Sequence, residues 1–192
     1  MSITLSLTII TAAISILGFY NNNVINQFIF TPFQVKRKNQ WYRFITSGFI
    51  HADIPHLLFN MVSLYMFSDF VESFFTLAFQ EKANFVYLGL YFSSLIVCLI
   101  PTYLKHQDHS YYRSLGASGA VSAVVFAGIF LQPTLQIGFF IIPPIIPGFV
   151  FGPIYLLITA YLSKTGGGNI NHSAHLWGCL LYTSDAADDL LC

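Results

Sequence analysis

Gly116-Ala117-Ser118-Gly119-Ala120-Val121-Ser122-Ala123-Val124-Val125-Phe126-Ala127-Gly128-Ile129-Phe130-Leu131 carries no charge and stops at Gln132-Pro133. As a helix it is about 24 Å long at about 1.5 Å per residue, short against a hydrocarbon core of about 30 Å. A short helix that opens on Ser118 sets that hydroxyl below the membrane surface, under a water-filled depression. Irregular chain at such depth is tolerated only where it lines a cavity or is buried in protein.

Composition agrees with a membrane setting. Of 192 residues, 55% are hydrophobic and 8% charged, and mean hydropathy is +0.65. Soluble domains carry about 25% charged residues. The expected class is all-α, a polytopic bundle of six spans in one domain over residues 1–178, with the last span apparently truncated. Net charge is zero, but Asp185, Asp188 and Asp189 crowd the end. Without them the body is only mildly basic, which gives no reason to expect nucleic acid. Cys98, Cys179 and Cys192 show no paired spacing, so neither a disulfide framework nor a zinc knuckle is supported.

Outward from the quoted run, the spans are expected at Ile3 to Tyr20, Ile54 to Phe75, Asn84 to Leu104, Gly148 to Leu162 and from His172 onward. The first lacks a basic leader and a small-x-small cleavage site, so it reads as retained helix. Asn21 to Asp53 mixes Lys36-Arg37-Lys38 with Trp41-Tyr42-Arg43, as an interface-lying segment requires. Leu135 to Pro147, with Pro143-Pro144 and Pro147, reads as a bent interfacial connector, and Lys164 to Gly168 as a turn. The sixth span fails near Cys179, because each aspartate costs about 2.5–3.5 kcal/mol at a helix centre. Residues 179–192 therefore read as a truncated or non-native tail.

The chemistry rests on Ser118 and His175. A serine hydroxyl is a weak nucleophile until a base takes its proton, and imidazole accepts and returns protons near neutral pH. Helix packing has to join the two. Gly119, Ala123 and Ala127 form one small stripe, and Ala174 and Gly178 another. Such stripes let backbones approach closely in lipid, although packing alone also explains them. His56 and Asn60 share a helix face. They offer donors for an oxyanion, as does the Ser118 amide in its helix's first turn, or else they cross-link helices.

Together, Trp41-Tyr42-Arg43, His51-x4-His56-x3-Asn60, Gly116-Ala117-Ser118-Gly119 and Ala174-His175-Leu176-Trp177-Gly178 resemble the rhomboid intramembrane serine proteases. The resemblance runs from about Ile3 to Gly178. It implies Ser118 as nucleophile and His175 as base in a dyad without an acid. It implies His56, Asn60 and the Ser118 amide as the oxyanion site, with Gly116 and Gly119 flanking the nucleophile. Trp41 and Arg43 would anchor the first loop at the membrane surface, Glu72 would be structural, and His51 would pack or bond to the loop. No cofactor or metal is implied. The partners would be single-span transmembrane substrates and membrane lipids, and the location a multi-pass protein of the bacterial cytoplasmic membrane.

Three departures from the family pattern carry expectations. Ser68-Asp69 replaces a glycine pair and would loosen the end of the second span. Ser122 stands where some members place a tyrosine under the imidazole, so His175 would be held less firmly. The last span lacks the family's small residues after Gly178. The expected orientation is the family's, with the amino terminus cytoplasmic and the first loop holding its cations at headgroups. That puts Lys36, Arg37, Lys38, Arg43, Lys105, Arg113 and Lys164 outside, against the positive-inside tendency. Two other readings stay open: an inactive rhomboid-like protein that binds membrane clients, and a bundle ligating metal or haem through His51, His56, His172 and His175.

Overall fold

The computed structural model describes residues 2–139, 142–165 and 171–189. Helix α1 (Ile3–Tyr20) begins where the Ser2 side chain accepts the Leu5 amide, and it has the bounds expected for the first span. The next connection is not irregular. It holds α2 (Asn22–Phe28), α3 (Pro32–Lys38), α4 (Arg43–Thr46) and a 3-10 turn at Ser47–Phe49. The Asn21 side chain caps α2. Helix α3 starts on Pro32 and ends at Asn39 in the left-handed region (φ 55°), as helix ends often do.

Helix α5 (Ile54–Phe79) runs one turn beyond the expected second span. It starts where Asp53 accepts the His56 amide at 2.7 Å, with Pro55 in the first turn. The third span is two helices, α6 (Ala83–Val97) and α7 (Ile100–His106), parted at Cys98-Leu99 with Pro101 opening the second. Helix α8 (Ser118–Leu131) matches the quoted run. The proline connector forms a hairpin, β1 (Gln136–Phe139) against β2 (Ile142–Pro147), antiparallel with Gln136 opposite Pro147. Both strands are edges, so prolines without N–H groups are tolerated there. Helix α9 (Gly148–Thr165) contains Pro153, and α10 (His172–Asp189) closes the order. The expected turn at Lys164 to Gly168 lies mostly outside the described residues. Helical backbone continues past Cys179 to Asp189, so the tail departs from a spanning helix in composition and not in backbone.

Helix α8 is the central element. Its buried residues run from Gly119 to Val124 and again from Phe126 to Ile129, and it packs on α5, α6 and α10. Small side chains on most of its circumference let three helices surround it. The outer helices are built the other way round, with Ile9, Ile16, Leu17, Met66, Leu77 and Leu157 exposed. An apolar exterior of this extent is a surface made for lipid. By length and hydropathy, Ile3–Tyr20 (18 residues) and the helical stretch Ile54–His106 (53 residues) can cross a membrane, while Ser118–Leu131 is a shorter apolar helix.

Away from α8, α1 is fastened to α5 and α6 by polar groups. The Thr4 amide donates to Glu72 at 2.7 Å, the Thr4 hydroxyl bonds the same carboxylate, and Ser68 bonds the Tyr87 hydroxyl. Ser68 thus does not loosen this end. Its hydroxyl occupies space a glycine leaves empty and satisfies a buried phenol.

Candidate active site

Ser118 is the first residue of α8 and is partly exposed. The turn that delivers it is held on three sides. Ser114 exchanges two backbone hydrogen bonds of 3.0 Å with Phe30, and the Gly116 amide donates to the Ser47 carbonyl at 2.9 Å. The Ala117 amide donates to His51 Nε2 at 3.4 Å. Gly116 has φ +114°, and a Cβ there would lie 2.8 Å from His56 Cε1 and 3.0 Å from Nε2. Glycine is required twice over, for backbone sign and for room beside the imidazole.

His51 is fully enclosed, and both of its nitrogens are used. Because Nε2 accepts, Nδ1 carries the proton and donates to Ser15 Oγ at 2.9 Å, and the Ser15 hydroxyl donates to the Phe49 carbonyl at 3.0 Å. Burial first, then the neighbouring His56, pushes its pKa down to about 3. His51 is a neutral strut between α1, the first loop and the turn that leads into α8. The His56 ring stands edge-on to it, with centroids 4.9 Å apart at 77°. One turn on, Asn60 is buried and spends one N–H on the His56 carbonyl at 2.9 Å. A second N–H remains on that amide.

His175 lies in the first turn of α10, which Asn171 caps. The Asn171 side chain accepts the Ala174 amide at 3.1 Å and donates to Thr102 on α7 at 3.1 Å. The approach of α10 to α8 is very close. A Cβ on Gly178 would lie 2.2 Å from the Gly119 carbonyl oxygen, and one on Gly119 would meet Cys98 Sγ at 2.4 Å and the Ala174 carbonyl at 3.5 Å. Gly119 of one small stripe therefore faces Ala174 and Gly178 of the other at this crossing, with Ser118 and His175 each adjacent to it in sequence. A depression of about 320 Å³, its open mouth included, is lined by Ser118, Gly119, Gly116, Ser47, Cys98 and Asn171 among others.

The imidazole of His175 is not loose. Nδ1 lies 3.1 Å from the Tyr155 hydroxyl on α9, and that oxygen is 3.4 Å from Ser122 Oγ. The tyrosine absent at 122 is replaced by one from another helix. No motif marks Tyr155 in the sequence, and only packing reveals it. Asn171 was discoverable, since an asparagine three residues before Ala174 is the mark of an N-cap.

Arg43 turns inward and not toward headgroups. It is 3% exposed and donates to Gln40 at 2.7 Å and to the Asn26 and Ile29 carbonyls at 3.0 and 2.6 Å. Its guanidinium satisfies backbone oxygens that short loop helices leave free. Trp41 is half exposed, stacked on Phe44 and tilted against Tyr103, on the rim of the same loop. Of the four histidines, His51 and His56 stand 4.9 Å apart and His172 and His175 6.1 Å apart between ring centroids, and both His51 nitrogens are already bonded. Among the described residues, no group of three or more His, Cys, Asp or Glu side chains is arranged to hold a metal ion.

Comparison with known proteins adds the family. The family model described as Rhomboid domain matches residues 38–182. "RHOMBOID-like protein 12, mitochondrial" of Arabidopsis thaliana is 34% identical over 171 residues, 79% of this chain and 48% of its own length. "Putative rhomboid protease YdcA" of Bacillus subtilis (strain 168) is 32% identical over 145 residues, 72% of this chain and 62% of its own length. "Rhomboid-like protein 11, chloroplastic" of Arabidopsis thaliana is 28% identical over 149 residues, 73% of this chain and 50% of its own length. The chain spans about half to three fifths of the length of these relatives. Their names point to mitochondrion, chloroplast and bacterium, so the expected bacterial membrane is one setting of three. With the family model covering most of its length, the chain belongs to the rhomboid family of integral membrane proteins.

Proposed function

We propose that this chain is an intramembrane serine endopeptidase that cuts single-span membrane proteins near the membrane surface. Ser118 Oγ attacks the scissile carbonyl carbon while His175 takes its proton. The tetrahedral oxyanion accepts hydrogen bonds from the second Asn60 N–H, the His56 ring and the Ser118 amide, whose first-turn position leaves it without an intrahelical partner. Collapse breaks the C–N bond, and His175 returns the proton to the leaving amine. A water molecule from the depression then repeats the sequence on the acyl-serine and frees the enzyme. No cofactor takes part.

The observation that carries this reading is the α8–α10 crossing, too tight for a Cβ at Gly119 or Gly178, beside which the serine and the histidine both stand. Such an approach is what a dyad without an acid needs, because the distance between its two groups is then set by the backbones that carry them. The substrate must unwind to enter, since an intact helix hides its carbonyls in i→i−4 bonds. Small or helix-breaking residues near the cut follow from that. Residues 1–178 contain every side chain given a chemical role in this reading.

The test is cleavage of a model single-span substrate in a membrane by wild type and by Ser118→Ala. Wild type cleaves, and the variant is slower by at least about a thousandfold. Equal cleavage by both would remove the serine mechanism.

A further inference from the structure

Three polar groups from three helices meet behind the catalytic pair. Tyr155 of α9 lies with its hydroxyl 3.1 Å from His175 Nδ1 of α10 and 3.4 Å from Ser122 Oγ of α8. The phenol ring is fixed by Phe151, at 5.4 Å between centroids and 29°, and by Phe126 at 5.9 Å and 50°. Ser122 is buried, one turn beyond Ser118. Nothing about catalysis at Ser118 requires these three to touch, so their arrangement asks for a cause.

The cause lies in the tautomer. A neutral imidazole has one proton, and only the nitrogen without it can act as base. If the Tyr155 hydroxyl donated to Nδ1, the proton would sit on Nε2 and face Ser118, and the base would be blocked. If Nδ1–H donates to the phenol oxygen instead, the phenol's own proton needs an acceptor. Ser122 Oγ is within reach to be it. We propose that Tyr155 is a positioning residue, accepting the His175 Nδ1 proton while Ser122 accepts the phenol's, so that Nε2 is bare toward Ser118. When Nε2 takes the serine proton, the imidazolium keeps its Nδ1–H bond to Tyr155, now charge-assisted and stronger. A phenol and a serine thus do for orientation what a carboxylate does in a triad. This deepens the dyad reading and rests on it for catalysis, but the tautomer itself does not depend on turnover.

The experiment pairs two readouts on the 192-residue chain in detergent or bilayer. Nitrogen NMR of ¹⁵N-histidine-labelled protein, with His175 assigned by its loss in His175→Ala, reports the tautomer. Steady-state cleavage of a model single-span substrate reports kcat and KM. Wild type shows His175 as the Nδ1–H form. Tyr155→Phe keeps the ring and its packing, loses that fixed form, and lowers kcat by about ten- to a hundredfold with KM within about twofold. Ser122→Ala keeps the phenol but removes its acceptor and shifts His175 toward Nε2–H, while Ser122→Thr retains wild-type behaviour. If Tyr155→Phe misfolds, the serine pair carries the test. An Nε2–H wild type, or an unchanged tautomer in both Tyr155→Phe and Ser122→Ala, overturns the proposal. A wild type that holds Nδ1–H yet cleaves nothing overturns the protease reading and leaves the tautomer assignment standing.

Discussion

His51 and His175 flank the start of α8, and the protein treats them differently. His51 has both nitrogens bonded, to the Ala117 amide and to Ser15. His175 has Nδ1 bonded to Tyr155, and among the described residues no hydrogen bond reaches its other nitrogen. One ring is saturated, and its proton has nowhere to go. The other keeps a nitrogen in reserve beside a crossing that leaves no room for a Cβ at Gly119 or Gly178. A histidine's usefulness as a base is thus read from how many of its nitrogens the fold has left unspent.

The largest effect is expected at the helix crossing. Gly178→Ala sets a methyl group 2.2 Å from the Gly119 carbonyl oxygen, backbone against side-chain root, with no flexible atom to give way. Cleavage should fall by at least about a thousandfold, and thermal unfolding in detergent should show a loss of about 1–3 kcal/mol, as overpacking usually costs. Full activity would mean that the close approach is packing alone.

A smaller effect belongs to Asn60. Asn60→Ala removes the second amide N–H without touching either histidine nitrogen. Rate measurements should show kcat down by about a hundred- to a thousandfold with little change in KM, the usual loss for one oxyanion donor. An unchanged kcat would assign Asn60 to the helix it already bonds.

The smallest change in activity belongs to the saturated ring. His51 is neutral because burial depresses its pKa from 6.5 to about 3. The unfolded chain takes up a proton in that window and the folded one does not. Stability from His51 is therefore complete above about pH 6.5 and is lost as pH falls toward 3. His51→Gln should flatten the fall in unfolding midpoint between pH 7 and pH 5, while cleavage at pH 7 stays within about tenfold of wild type. A variant that falls as steeply as wild type would contradict this role.

Much of this was legible in the sequence for physical reasons. The first helix could be bounded to the residue, because apolar length against bilayer thickness leaves little choice. Small residues at 119, 174 and 178 announced a close crossing, since only they permit one. The hairpin at Gln136–Pro147 was hidden, because a two-stranded edge has too few residues to show alternation. The break at Cys98-Leu99 was hidden for a different reason: Pro101 inside an apolar run is compatible with one kinked helix or two. At the site, the histidines and Asn60 stood out as polar groups in apolar surroundings. Tyr155 did not, because a tyrosine in a membrane helix carries no signal until its hydroxyl is seen to face an imidazole. Arg43 was legible as a loop residue but not in its partners, since a cation beside Trp41 suggests headgroups, yet loop carbonyls from Asn26 and Ile29 claim it.

The most direct measurement needs no substrate. A fluorophosphonate reacts with a serine only when a base draws off its proton, and the adduct is located by mass spectrometry of the digested protein. Wild type is expected to be phosphonylated on Ser118, with labelling reduced to background in His175→Ala while the helical circular dichroism is preserved. Labelling of Ser118 that survives loss of His175 would contradict the pairing on which the assignment depends, as would a wild type that is never labelled there.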